Sequence, residues 1–114
     1  MSLPVDISVV LIVDCVILDS PGLPSNFEVK KGLQFHMKFN DESHPAVFAN
    51  CDQPLSVGSR GEAEIMLTAL AEESDLIQPG LDVDFVGGVD IQFATGKVVR
   101  VKEIRWALLK RQKF

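Results

Sequence analysis

"Leu33-Gln34-Phe35-His36-Met37-Lys38-Phe39" is the stretch on which the fold turns. Every odd position is apolar and every even position is polar. Successive side chains of a strand point to opposite faces, so this pattern fits a half-buried β-strand and not a helix, whose apolar stripe recurs every three or four residues. The same alternation returns at Ala63, Ile65, Leu67 and Ala69, with Glu62, Glu64 and Thr68 on the other face. It returns at Leu81, Val83 and Phe85 with Asp82 and Asp84 outward, and at Val89, Ile91 and Phe93 against Asp90 and Gln92. Val5 to Leu18 is nearly continuous in Val, Ile and Leu, which suits a long central strand, either covered on both faces or bent to serve two parts of a barrel.

Turn-forming residues separate these segments. Asp19-Ser20-Pro21-Gly22-Leu23-Pro24, Asn40-Asp41-Glu42-Ser43-His44-Pro45, Gln53-Pro54, Gly58-Ser59-Arg60-Gly61, Gln78-Pro79-Gly80, Gly87-Gly88 and Thr95-Gly96 are each read as a turn. Strands at a spacing of about ten residues, without a convincing helix between them, argue for an all-β antiparallel sandwich or closed barrel. Glu103 to Lys113, with Ile104, Ala107, Leu108 and Arg111 at helical spacing, is the one candidate for a short terminal helix, the alternative being an extension of the last strand.

A chain of 114 residues, 46% hydrophobic and 24% charged, has the size and composition of one folded domain spanning 1–114. Met1-Ser2-Leu3 fits a remnant of expression, and 105–114 reads as a basic tail. The apolar run from Ile7 to Val13 is interrupted by Ser8 and closed by Asp14, far short of the roughly eighteen residues a membrane helix needs. Without a basic leader and cleavage site, the cytoplasm is the expected compartment and no membrane contact is expected. Cys15 and Cys51 are then expected reduced and core-facing, Cys15 in phase with Val13 and Ile17 and Cys51 in phase with Val47 and Ala49. No C-x-x-C spacing supports a zinc site.

Charge is divided unevenly along the chain. Residues 1–96 carry fifteen acidic side chains and four basic ones, whereas residues 97–114 carry seven basic and Glu103 alone. This basic segment either faces an anionic partner or lies among acidic neighbours and cancels charge within the fold, and the second is favoured. If Val98 to Ile104 is a strand, Arg100 and Lys102 share one face with Val99 and Val101 on the other. The contact surface for an anionic partner would then be Arg100, Lys102, Arg105, Lys110 and Arg111. Stacking aromatics nearby are limited to Trp106 and Phe114, which disfavours RNA.

Groups suited to catalysis are few. His36 lies on the polar face of its strand, and His44, before Pro45, is expected as a turn residue, capping or exposed. Buried cysteines without a neighbouring base do not make nucleophiles. Asp82 and Asp84, with Asp90 and His36 near, form a conceivable cation or acid-pair site, but acids on the outer face of a strand are ordinarily solvated. Gly58-Ser59-Arg60-Gly61 lacks the layout of a phosphate loop. No enzyme activity, cofactor or metal is expected.

Leu76-Ile77-Gln78-Pro79-Gly80-Leu81, then Gly87-Gly88, then Thr95-Gly96-Lys97-Val98-Val99-Arg100-Val101 resembles the end of the third domain of elongation factor Tu. Ala63 to Leu67 takes the place of the preceding strand, and Val9 to Leu18, Gly22-Leu23-Pro24 and Leu33 to Phe39 are laid out like the first strands. The resemblance implies a closed antiparallel β-barrel without the family's GTPase domain. It also implies a change at the transfer-RNA contact, because the arginine that follows the family's double glycine corresponds to Val89. The expected function is a non-enzymatic barrel that binds a macromolecule, a protein before an RNA. An acidic inhibitor of the immunity-protein kind is a further alternative.

Overall fold

The computed structural model describes residues 6–51, 53–87 and 90–106. The strands are β1 (Asp6–Ile17), β2 (Glu28–Val29), β3 (Gln34–Phe39), β4 (Glu42–Cys51), β5 (Leu55–Ser56), β6 (Arg60–Leu70), β7 (Asp82–Val86) and β8 (Gln92–Trp106), with a 3-10 segment, Ala71–Leu76, between β6 and β7. Six of them close into an antiparallel barrel in the order β1-β6-β4-β3-β7-β8, and β2 and β5 form a separate two-stranded pair. Closure removes the free edges that an open sheet of such apolar strands would expose.

β1 behaves as its composition requires. It pairs with β6 from Asp6↔Leu70 to Val16↔Arg60 and with β8 from Ile7↔Trp106 to Ile17↔Ala94. Ile7, Val9, Leu11, Val13 and Cys15 are fully buried inside the barrel. β3 and β6 place their odd-numbered apolar residues in the same interior. There Phe35 stands 4.7 Å from Phe48 and 4.9 Å from Phe85, ring centre to ring centre, and Phe93 meets both Phe35 and Phe85 edge to face. Such aromatic pairs add to the stability already gained from burying their area.

Several expectations need correction. The segment Asn40 to Pro45 is not one long turn. Asn40 and Asp41 alone form it, both at positive φ, and β4 begins at Glu42 directly opposite Phe39. Two central residues in left-handed conformation make the tight hairpin whose twist matches its strands. Pro45 is tolerated in the strand because it lies one residue before the β4–β6 ladder begins at Ala46.

The side-chain phase of β4 also differs. His44, Ala46 and Phe48 face the core, whereas Val47 and Ala49 are half-buried on the outside. A bulge between Phe48 and Asn50 then shifts the phase, so that Cys51 comes opposite Ala63 and packs against the core after all.

Thr95-Gly96 is no turn, and Ile91 to Phe93 make no separate strand. β8 runs unbroken from Gln92 to Trp106, and Gly96 lies inside it opposite Cys15 and Val83. A Cβ on Gly96 would stand 2.8 Å from Val13 Cγ1 and 2.9 Å from the Asp14 carbonyl oxygen, so glycine is needed for backbones to approach here, not to reverse the chain. Gly88 and Val89 lie outside the described residues.

Of the two alternatives for Glu103 to Lys113, the described part takes the second: Glu103 to Trp106 continue β8, while 107–113 lie outside the described residues. Bulges relative to β1, between Val10 and Leu11 and between Ile12 and Val13, break the alternation of β8. Val98 is therefore buried, and Val99 and Arg100 are both exposed.

Gly96→Ala is expected to lower stability by about 1–3 kcal/mol, the usual range for overpacking, measured as a shift in the urea midpoint. Adding Val13→Ala should not restore stability, because the Asp14 carbonyl remains in the way and the fully buried Val13 is itself lost from the core.

Candidate functional site

Of the five residues in the expected anionic contact, Arg100, Lys102 and Arg105 lie on the second half of β8, and Lys110 and Arg111 fall outside the described residues. Lys102, pushed outward at a bulge, reaches across β1 to Glu64 on β6, Nζ to Oε1 2.7 Å. Its stem lies over the outer face of β1, where the outward-pointing Val10 is 6% exposed. Arg105 pairs with Glu103 at 2.8 Å, and Lys97 with Asp82 at 3.4 Å. Arg100 has no ion-pair partner among the described residues. Arg60 on β6 donates to Asp14 on β1, at 2.6 Å for Nη2 to Oδ2, and this hydrogen bond holds the Asp14 carboxyl below the usual range. Basic and acidic segments that are far apart in sequence thus become neighbours, and the charges of Lys97 and Lys102 are met by acids from the earlier part of the chain.

Asp82, Asp84 and His36 do not form a site. Asp82 is taken by Lys97, and Asp84 Oδ1 accepts from Gln92 Nε2 at 3.0 Å and from Thr95 Oγ1 at 3.2 Å. His36, exposed on β3, is in register with Val86 on one side and Pro45 on the other. Both cysteines are free, with Cys15 buried and Cys51 half-buried. Burial, and after it the Asp14 carboxylate, pushes the Cys15 thiol up to about 11, the opposite of what a nucleophile requires.

The cluster that does form includes His44, which the sequence placed in a turn. His44 is 5% exposed. β4 carries it inward, and its ring stacks on Phe39, centroids 4.3 Å apart. Glu73, from the 3-10 segment, meets it at 3.5 Å, Oε2 to Nε2, and is itself largely buried. The other Glu73 oxygen, Oε1, accepts from the Leu70 N–H at 2.9 Å, which fixes the carboxylate. Among the described residues His44 Nε2 is left buried without a hydrogen-bond partner, a condition that ordinarily costs about 1–3 kcal/mol.

Glu42, two residues before His44 on β4, completes the group. Its carboxyl is raised from the usual range, first by hydrogen bonding to Glu73 and then by the Glu73 charge. The three side chains border a surface hollow of about 320 Å³ whose walls include Ser43, Thr68 and Leu70.

The signal in the sequence was Glu42-Ser43-His44, since residues i and i+2 of a strand share a face. Reading those residues as a turn concealed it, and Glu73 comes from a segment with no alternation to place it.

No family model matches the chain, and a search of curated proteins finds no match. Among the described residues no helix is long and apolar enough to cross a membrane.

The raised Cys15 thiol fixes a pH dependence. Between about pH 9 and 11 the unfolded chain loses this proton and the folded one keeps it, so stability present below pH 9 falls as the pH rises. Urea titrations across that window should show a fall that is smaller in Cys15→Ala by about 2–3 kcal/mol.

Proposed function

We propose that this protein is a small non-enzymatic β-barrel module, of the kind found as the third domain of elongation factor Tu, that acts in the cytoplasm by binding a protein. The closed antiparallel barrel of six strands supports the resemblance. The observation that carries the binding proposal is the second half of β8. Its ladder with β7 ends at Asp82↔Lys97, and Gly80 and Leu81 extend the backbone hydrogen bonding to Val98. From Val99 to Trp106 the strand has ladder partners on the β1 side alone among the described residues.

An unpaired strand edge is a template for an added strand. Val99 and Ile104, each 41% exposed, offer apolar contacts beside it, and Arg100 offers a charge without an ion-pair partner among the described residues. These features suit an extended, mixed apolar and acidic protein segment laid along β8. They suit RNA less, because Lys102 and Arg105 are already paired with acids and a polyanion would have to displace those partners.

Selection of displayed peptides on the purified protein should enrich extended sequences that alternate apolar and acidic residues. Val99→Glu combined with Ile104→Glu should abolish their binding with the fold intact by circular dichroism. Peptide binding that survives this double change would overturn the β8 assignment. A steep loss of affinity for a fluorescent RNA as salt rises from 50 to 200 mM, removed by Arg100→Ala, would favour RNA instead.

A further inference from the structure

We propose that Glu42, His44 and Glu73 form a binding site for a divalent first-row transition ion, zinc by the geometry of its donors. The three side chains each present one donor atom, and these atoms lie within 4.8 Å of one another. An ion with bonds of about 2.0–2.1 Å to nitrogen and oxygen and tetrahedral angles holds its donors about 3.3 Å apart. The 3.5 Å from His44 Nε2 to Glu73 Oε2 is close to that separation.

The His44 nitrogen is the independent sign of a ligand. It is buried, aimed into the cluster, and without a hydrogen-bond partner among the described residues, the Glu73 carboxylate oxygen at 3.5 Å being an ion-pair contact outside hydrogen-bond geometry. Imidazole nitrogens in that condition are uncommon, because buried polar atoms are nearly always paired. A metal bond would satisfy Nε2 better than that contact does.

The supporting groups resemble an outer shell built to orient ligands. The Phe39 ring holds the imidazole plane. The Leu70 N–H binds one Glu73 oxygen and leaves the other directed at His44. Ligating carboxylates are commonly fixed in this way. The donor oxygens of Glu42 and Glu73 lie within 4.8 Å of one another. A cation placed between two carboxylates is attracted to both.

One nitrogen and two carboxylate donors select ions of the zinc type over magnesium and calcium, which prefer oxygen alone. Three protein ligands leave a fourth position open toward the hollow, for water or for a donor from a partner. Because His44 lies near the turn of the β3–β4 hairpin and Glu73 in the segment after β6, the ion would tie these two parts of the barrel together.

Calorimetric titration of the metal-free protein with zinc chloride, with cobalt chloride absorption as a second readout, tests the site. One saturable zinc per chain is expected, with a rise in melting temperature that excess chelator reverses. His44→Phe keeps the stacking on Phe39, and Glu73→Gln keeps an acceptor for Leu70. Each should lose more than the roughly 100-fold in affinity that removal of an outer-shell partner costs.

Glu42 is exposed, so Glu42→Gln leaves the fold unburdened and should weaken binding even if the buried variants fail to fold. His36→Gln and Cys51→Ser should bind as the parent does. Absence of saturable binding, undiminished binding in Glu42→Gln or His44→Phe, or loss in His36→Gln or Cys51→Ser would each overturn the proposal.

Discussion

The barrel depends on β1 being bonded along nearly its whole length to β6 on one side and β8 on the other. In a strand with both edges occupied and alternate side chains fully buried, a slip of one residue would turn Ile7, Val9, Leu11, Val13 and Cys15 outward together. That cost fixes the register of both neighbours. The length of β1 in turn demands long partners, and β8 meets the demand by continuing past the short β7. Gly96 is a direct consequence, because β8 must pass Val13 and the Asp14 carbonyl at a distance that leaves no room for a side chain. The overhanging edge of β8 has the same origin, since a fifteen-residue strand lies beside a five-residue one.

Much of this was legible in the residues. Period-two patterns at Leu33 to Phe39 and Ala63 to Ala69 located β3 and β6, and the apolar run at the start of the chain located β1. Their side chains alternate cleanly because each strand has one face in the core. β4 was not legible, for two physical reasons. Its first four residues are polar or proline and resemble a loop, although the reversal needs no more than Asn40 and Asp41 at positive φ. The bulge after Phe48 then reverses which parity faces inward. Cys51 reached its expected place by that bulge and not by the phase shared with Val47 and Ala49. Thr95-Gly96 was misread because glycine serves close backbone approach as readily as it serves a turn. Bulges likewise hid the exposure of Val99, since alternation carries no sign of an inserted residue.

The candidate site was the least legible part, because it joins residues from elements with no local relation. Glu73 lies in a short 3-10 segment whose sequence is acidic and unremarkable, and the chain must close the barrel before it faces His44. A pairwise pattern in sequence cannot report a meeting produced by topology. The same holds for charge. The excess of acid in residues 1–96 and of base after them left two readings open, a surface for an anionic partner or cancellation among acidic neighbours, and could not say which residues pair; antiparallel pairing sets Lys97 beside Asp82 and brings Lys102 over to Glu64. Arg100 has no ion-pair partner among the described residues.

Ile7 and Trp106 are ladder partners, so the first and last described strands run side by side at one end of the barrel, about 5 Å apart as neighbouring strands are. A short linker across that gap would join them without disturbing any pairing. The fold is therefore suited to circular permutation, with new ends opened at the exposed β3–β4 hairpin tip, Asn40-Asp41, where the cut would cost no ladder partner.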